Sequence, residues 1–509
     1  MIATDSTAAG SPLATRIFGT IVGTTMALYY FVFYFPPRLV GSNDPDRYYH
    51  LALSQLMSAE GLIRKLPQAE DLGWGAYFPD KEFLFHAITA AGYWLAGPMG
   101  TLLVVPVLGI GIVSCIYWIL SHRLLPTHAA LLTLAAAFLS PVFLFRITML
   151  RPHVLAIFFF CLLLAGILRG RVWLAALAAA GYALSYHAFY MPAIAILFAA
   201  AFRWTDNAEG ARRWQWAVVG LIVGIILNPY FPSTVVLSWT IANIAMGVGL
   251  PPEIRSGAEL LPLGLLEYLD YFSFLPLALL ATAVLIFMKN LRPSPAMAGF
   301  WFLFSLSTFL ILLGLKSSRA NEYAVPCIIL LAGYAISLTT RRQLCTATTC
   351  LALVATQGYS AMVYYRDITS QEQGGNTDWY FAAVATIPME ADGQKVFNCE
   401  WAAGSYLLFA RPGLRFVDLL EPALLWHAST EKYLARESLL RGFEENPRRV
   451  LRQNFHADYV LCGIQAFNEQ LDARPLEFER LTNSEASGPI QLFRLRDHDE
   501  SSTANPKQH

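Results

Sequence analysis

The sequence predicts an α-helical polytopic membrane protein with about eleven transmembrane helices and a C-terminal extracytoplasmic α/β domain. Three observations predict it. Of 509 residues, 56% are hydrophobic and only 14% charged, with a mean hydropathy of +0.45, so lipid rather than water is the main solvent. Apolar runs long enough to cross a bilayer recur from residue 17 to residue 363, separated by short loops in which arginine and lysine collect. After Tyr364 the runs shorten, charges become frequent, and the pattern changes to short strands between helices. The domains are therefore 1–364, membrane-embedded with large outer loops at 36–98 and 230–263, and 365–509, soluble.

The first apolar run, Ile17 to Phe35, is long enough to span and lacks a small-residue cleavage site, which argues against a cleavable signal peptide. Behind it stands GSNDPDRYYH, Gly41 to His50, which packs two carboxylates, an arginine, two tyrosines and a histidine into ten residues. Asp44 followed by Pro45 reads as the N-cap and first position of a helix ending at Gly61, and capping alone accounts for the aspartate. Asp46 and His50 stand four apart, on one face of that helix. Run 83–97 is read as a helix lying at the outer interface, because only a non-crossing 83–97 keeps Arg16, Arg123, Arg169, Arg171, Arg203, Arg341 and the other loop cations on one side. That side is the cytoplasm by the positive-inside rule, which gives a multi-pass protein of the plasma (inner) membrane with its N-terminus inside. Further spans are expected near 99–120, 127–145, 154–168, 172–186, 189–202, 214–229, 264–287, 296–314, 323–339 and 345–363.

In the soluble domain KVFNCEW, LRFVDL and DYVLCGI read as strands, and Thr430 to Phe443 as a helix. Two of the seven cysteines, Cys399 and Cys462, fall on such strands, and an oxidising compartment would let them pair; the other five lie in or beside apolar spans as small packing residues. With 36 basic and 36 acidic residues there is no basic patch, and nothing argues for nucleic acid.

On the outer face the ionisable candidates are Asp44, Asp46, His50, Asp80, Glu82, Arg146, Arg151, His153, His187, Glu253, Glu259, Lys316, Arg319 and Glu322. Charges at span ends are costly and often functional. Arg319, just before a span in RANEYAVP, is placed to hold a lipid-linked phosphate, or to snorkel to the interface. His187, in SYHAFY, reads as lining a break between two short helices.

These motifs resemble, in order, those of the GT-C glycosyltransferases and, within them, the catalytic subunit of oligosaccharyltransferase, which moves glycans from a polyprenyl carrier onto protein. DPDRYYH is similar to the first-loop DPWFNYR, which puts Asp44 on the catalytic carboxylate. FLSPVFLFRITMLRPHVLAIF is similar to the second-loop segment ending in DNE, with Arg151, Pro152 and His153 where the acidic residues would stand. ALSYHAFYMPAI is similar to SWGGY, ELLP from Glu259 to the glutamate motif EHQP, and RANEYAVP to the segment that carries the carrier-phosphate arginine. EWAAG, Glu400 to Gly404, takes the place of WWDYG, and DYVLC that of DYVLV.

The resemblance implies a polyprenyl-linked sugar donor, the lipid bilayer as setting, and an acceptor at the outer face. Asp44 and Glu259 are then catalytic, Asp46, His50, Arg151, His153, Arg319, Glu322 and Trp401 contact substrate, and Asp44, His153 and Glu259 would hold a divalent cation, Mg²⁺ or Mn²⁺. The loss of acidic donors at Arg151 and His153 leaves fewer hard oxygens than such a cation receives. The departure at EWAAG removes one tryptophan and the aspartate that read the hydroxyl of an Asn-X-Ser/Thr acceptor, so transfer to another acceptor is expected. Oligosaccharyl transfer to asparagine, a transporter and a non-catalytic polytopic protein stay open; a transporter would place its charges at mid-span in repeated halves, and no repeat is visible.

Overall fold

The computed structural model describes residues 11–30, 44–139, 141–203, 208–248, 295–338, 343–350, 376–482 and 487–496, with Pro251, Ile254 and Gly264. The chain forms two compact units: 1–37, 80–248 and 258–371 in the first, and 38–79, 249–257 and 372–509 in the second. Residues 44–79, grouped by sequence with the membrane domain, fold with the C-terminal domain.

The first unit is helical. In order it contains α1 (Pro12–Tyr29), α3 (Phe83–Leu120), α4 (Pro126–Leu139), α5 (Pro141–Ile147), α6 (Pro152–Arg169), α7 (Val172–Ser185), α8 (Tyr190–Arg203), α9 (Ala208–Leu227), α10 (Ser233–Met246), α11 (Pro295–Lys316) and α12 (Asn321–Ser337), while α2 (Pro45–Glu60) belongs to the second unit. Among the described residues, four helical stretches are long and apolar enough to cross a membrane: Phe83–Leu120, Pro152–Arg169, Met297–Lys316 and Ser318–Ser337. Together with shorter apolar helices such as Val172–Ser185 and Trp214–Leu227 they make this a polytopic membrane protein. The expected span 264–287 and most of 345–363 lie outside the described residues. So do residues 249–250, 252–253 and 255–263 of the 230–263 loop, but its first part is α10, an apolar helix, because SWTIANIAM offers no breaker before Gly247, which ends it at φ 69°.

Two packing devices shape the unit. α3 is not a straight rod: Ala96 and Gly97 leave helical geometry, Gly97 with φ 59° and ψ −150°, a combination open to glycine, and Pro98 follows it. The two halves fold against each other, the Thr101 hydroxyl donating to the Thr89 carbonyl at 3.1 Å. A side chain on Gly100 would stand 1.9 Å from the Gly92 carbonyl oxygen. The sequence reading of 83–97 as a helix separate from the run at 99–120 agrees with this break. The second device joins α7 and α9, where Gly220 and Gly224 lie so close to Ala176 and Ala180 that an added methyl would fall 2.0 and 2.5 Å from their carbonyl oxygens. Small residues four apart let two backbones touch where lipid gives no hydrophobic drive to associate.

The second unit is α/β. α2 opens it, capped by Asp44, whose carboxylate accepts from the Asp46 N–H at 3.3 Å, and closed by Gly61 at φ 77°. The remaining helices are α13 (Asn376–Ala385), α14 (Trp401–Ala410), α15 (Pro422–Ala428), α16 (Thr430–Leu440), α17 (Pro447–Gln453) and α18 (Gln465–Asp472). The strands β1 (Lys395–Asn398), β2 (Arg415–Phe416), β3 (Tyr459–Cys462), β4 (Phe478–Arg480) and β5 (Gln491–Leu495) form one sheet in the order β2-β1-β3-β5-β4. β1 is parallel to β2 and β3, and β5 runs antiparallel to β3 and β4. β1 and β3 are buried along their whole length, which explains their unbroken apolar runs.

Two sets of contacts hold residues 44–72 in this unit. Tyr48 of α2 packs its ring 5.1 Å from Phe381 and Tyr406 and 5.4 Å from Phe409. Beyond it, Lys395 is 1% exposed and reaches Asp71 at 2.5 Å and Glu70 at 3.1 Å; Lys432 also pairs with Asp71 and Arg415 with Glu70 at 3.3 Å. Burial pushes the Glu70 carboxyl up, but Lys395 and Arg415 outweigh it and hold it below the usual range. Cys399, one residue past the end of β1, and Cys462, the last residue of β3, are joined in a disulfide with Cα atoms 4.9 Å apart, so the two cysteines that the sequence singled out do pair.

Candidate functional site

In the first unit a cavity of about 450 Å³ opens where α7 stops and α8 has not begun. α7 ends at Ser185 because Tyr186 turns extended, φ −153° and ψ 139°, and the helix resumes at Tyr190, the break that SYHAFY predicts. The walls are apolar: Met191, Ile194, Trp239, Met246, Phe309 and Leu313 from α8, α10 and α11. The polar groups that line it are few, and the charged ones are Arg319 and Glu322. Arg319 stands on a single turn of 3-10 helix, Ser318–Ala320, between α11 and α12, and donates to the Tyr186 hydroxyl at 3.3 Å. An apolar groove with a guanidinium at one place is suited to an amphiphile with an anionic head.

Around it the ionisable groups are buried and matched. Glu322 accepts from Arg146 through Nε at 2.6 Å and Nη2 at 2.5 Å. His153 is bonded through Nε2 to the Arg146 carbonyl at 2.8 Å. Arg151 is the half-buried N-cap residue of α6. Three residues that sequence reasoning did not single out join them. His86 is held through Nδ1 by both oxygens of Asp80, each at 2.9 Å. Lys81 donates to Glu82 at 2.6 Å, and Tyr186 contacts Arg319. The 80–86 stretch carried a signal, three charges and a histidine beside an apolar run, but only Asp80 and Glu82 were candidates.

In the second unit the described candidates are Asp44, Asp46, His50 and Trp401. Asp44 and Asp46 are half-buried at the start of α2 and His50, one turn on, is buried. Trp401 is the half-buried first residue of α14, packed in the same unit as α2. Its neighbour Glu400 is committed to the fold of this unit. The Glu400 carboxylate accepts from the Gly463 N–H at 3.1 Å, and the Tyr380 hydroxyl hydrogen-bonds to it. Burial pushes this carboxyl above the usual range, and those two donors with Arg436 offset part of the effect. Glu400 therefore closes the C-terminal ends of β1 and β3, beside the disulfide. Glu259 lies outside the described residues.

For a divalent cation, the donors that the first unit brings together are Glu82 and His86, a carboxylate oxygen and a ring nitrogen within 4.8 Å of each other. Asp80 fixes the His86 ring from behind, as a carboxylate does for a metal-binding imidazole. A mixed nitrogen and oxygen set fits a transition metal better than Mg²⁺.

No protein-family model and no curated protein matches the sequence. Solved structures do. The apo crystal structure of the oligosaccharyltransferase of Archaeoglobus fulgidus superposes with a TM-score of 0.61 at 14% identity, covering 88% of this chain and 69% of that one. The chain has an oligosaccharyltransferase-like GT-C fold. The same archaeal protein tethered by a disulfide to an acceptor peptide containing the NVT sequon gives a TM-score of 0.64, also at 14% identity, over 89% of this chain and 69% of that one. Its complex with Zn and sulfate gives 0.58 at 15% identity, over 88% and 67%. The fold expected from the sequence is thus the fold found.

Proposed function

We propose that this protein is a membrane glycosyltransferase that moves a sugar or oligosaccharide from a polyprenyl phosphate or pyrophosphate carrier to an acceptor at the outer face of the membrane. The observation that carries the reading is the apolar cavity at the α7–α8 break with Arg319 lining it. A polyprenyl chain needs such walls, and its phosphate needs such a cation.

In this reading the acceptor oxygen attacks the anomeric carbon, the bond from that carbon to the phosphate oxygen breaks, and its electron pair stays on the phosphate, where Arg319 neutralises it. The acceptor proton goes to the carboxylate of Asp44, with Glu259 orienting the acceptor. Arg151 and Glu322 set the charge around the donor, and Asp46, His50 and Trp401 contact the acceptor. A divalent cation, if held by Asp44, His153 and Glu259 or by Glu82 and His86, would add Lewis-acid stabilisation of the phosphate. The Cys399–Cys462 disulfide supports an extracytoplasmic C-terminal domain, since cystines persist in oxidising compartments; with the basic loops it favours the plasma (inner) membrane and a cytoplasmic N-terminus.

The acceptor in this reading is not the asparagine of a sequon. Where the family motif has two tryptophans and an aspartate to read the sequon hydroxyl, this chain has Glu400, Trp401 and Ala402. Glu400, the one carboxylate that a shift of register would bring in, is engaged by Gly463 and Tyr380. The remaining acceptors are a lipid-linked glycan, a cell-envelope polysaccharide or lipid, or a protein hydroxyl. Purified protein given a polyprenyl-linked glycan and a fluorescent sequon peptide should form no glycopeptide, while a membrane extract from a strain lacking the gene should serve as acceptor. Glycopeptide that disappears with Asp44→Ala would refute the acceptor assignment, and no transfer to any acceptor would refute the enzyme.

A further inference from the structure

The end of the first unit that lies away from the cavity carries a second polar cluster. α7 runs 14 residues from its N-cap Arg171 to the break at Tyr186, so a rise of about 1.5 Å per residue puts Arg171 roughly 20 Å from the cavity. α12 likewise begins beside Arg319 and carries Tyr334 to that far end. There three arginines gather on two rings. The Arg169 guanidinium lies 4.2 Å from the centre of a Trp118 ring and donates to the Trp118 carbonyl at 3.0 Å. Arg171 stands 5.7 Å from the same side chain's ring and Arg123 5.3 Å from that of Tyr334. Arg123 and Arg169 both act electrostatically on His122, and Arg171 acts on Arg169. Like charges this close repel, and the aromatic faces offset part of the repulsion.

No acid answers them. From Phe83 to Thr205 the sequence has no aspartate or glutamate, and no carboxylate is among the groups acting on Arg169 or His122. The Arg123 Nε is buried and makes no hydrogen bond, and a buried donor without a partner is rare in a folded protein unless another species completes it. The chain beside these arginines is apolar and uncovered: Leu125 and Leu131 after Arg123, and Trp173 and Leu177 after Arg171, are exposed.

We propose that Arg123, Arg169 and Arg171 hold the phosphate of an anionic phospholipid whose acyl chains lie along α4 and α7. The site is independent of the carrier cavity and of the reaction assigned to it. A guanidinium presents five N–H donors in one plane and can grip a phosphate through two of them. Arg169 commits one donor to Trp118, which leaves the trio able to surround an anion. A zwitterionic headgroup brings a cation of its own, which three arginines repel; an anionic headgroup brings none. Free phosphate supplies the charge but nothing that covers the apolar side chains.

The test separates headgroup charge from lipid tail. Full-length protein in detergent is titrated, with native mass spectrometry as the readout, against phosphatidylglycerol, phosphatidylcholine of the same acyl chains, and glycerol 3-phosphate. We expect wild type to bind phosphatidylglycerol about 10-fold more tightly than phosphatidylcholine, and Arg123→Gln with Arg171→Gln, which leaves Arg169 on Trp118, to bring that ratio within about 3-fold. The first turn of α1 reaches the same end, where the Tyr117 hydroxyl donates to the Thr15 carbonyl, so Arg16→Gln removes a neighbouring charge and none of the trio. It should keep the wild-type ratio. An equal fall in Arg16→Gln overturns the site, because the attraction is then spread over the whole basic end. An unchanged ratio in the double variant overturns it too, as does a wild type without preference or glycerol 3-phosphate binding as tightly as the lipid. Should the double variant fail to fold, hydrogen exchange of wild type replaces it: protection of residues 121–125 and 169–173 by phosphatidylglycerol but not by phosphatidylcholine supports the contact, and equal protection by both, or by neither, overturns it.

Discussion

Removing the Cys399–Cys462 disulfide by the double substitution Cys399→Ala and Cys462→Ala should loosen the C-terminal unit by an amount that follows from its topology. The two cysteines are 63 residues apart. In the chain-entropy description, a cross-link around a loop of that length removes about 14 cal/mol/K from the unfolded ensemble, or about 4 kcal/mol at 25 °C. Alanine is the right replacement, because both sulfurs are buried at 1% and 0% exposure and serine would add an unsatisfied hydroxyl. The assay is urea denaturation of the full-length protein in detergent, followed by pulse proteolysis of the C-terminal unit. With a slope of about 2 kcal/mol/M, a loss of about 4 kcal/mol moves the midpoint down by about 2 M. Dithiothreitol should shift the wild type in the same direction and leave the double variant unmoved. A midpoint that changes by less than about 0.5 M would refute the reasoning on any slope in that range, and recovery of both thiols alkylated from freshly lysed cells would remove the cross-link itself.

Asp44→Asn should abolish transfer while the protein keeps its melting profile, since the change preserves the N-cap acceptor and removes the charge; retained turnover would exclude Asp44 as the base. Glu400→Gln should help the C-terminal unit more as pH rises. Burial raises the folded-state pKa of Glu400 above its ordinary 4.5, so the stability it contributes is full below about 4.5 and is lost as pH climbs through the raised value. The stability difference between variant and wild type, measured from pH 4 to 8, should therefore move in favour of glutamine with increasing pH, and a flat difference would contradict the buried carboxyl. Activity should persist in EDTA, because Arg151 and His153 replace two hard-oxygen donors of the family motif and Arg151 takes over part of the phosphate's charge; complete loss with rescue by Mn²⁺ would contradict this. Lys395→Met should destabilise the second unit by roughly 3 kcal/mol, since it strands Asp71 and Glu70 with only Lys432 and Arg415 to compensate; an unchanged unfolding midpoint would show that those two cations suffice.

What could be read from the sequence was local. The caps of α2, the break at Tyr186 and His187 and the strands of the C-terminal sheet each follow from a few adjacent residues. The motif order was enough for the GT-C fold because each short match sits at a helix end or loop that the span pattern places independently. The membership of residues 44–79 in the second unit was not legible. It depends on Tyr48 meeting Phe381, Tyr406 and Phe409, and on Asp71 meeting Lys395, and no periodicity in either stretch records the other. The cavity was half legible: Arg319 and the α7–α8 break were visible, but the wall supplied by α10 lay in a segment read as loop, because a 14-residue apolar helix is too short to announce itself as a span. Asp80 and His86 escaped as a pair because an i, i+6 spacing spans the start of a helix and belongs to neither helical nor strand periodicity.

The second unit is written in two instalments. Glu70 and Lys395, bonded in the finished protein, are 325 residues apart, and the intervening chain is mostly membrane helix. At a synthesis rate of about 5–20 residues per second, α2 and the turn that follows it wait roughly 16–65 s for their partners to be made. Throughout that interval Tyr48, Leu51 and Leu53, all buried in the finished protein, lack the second unit's later strands and helices. The membrane helices must be inserted first, and the C-terminal unit then captures a segment that left the ribosome long before it. Any premature stop before β5 therefore strands not only the tail of the protein but also the helix that begins at Asp44.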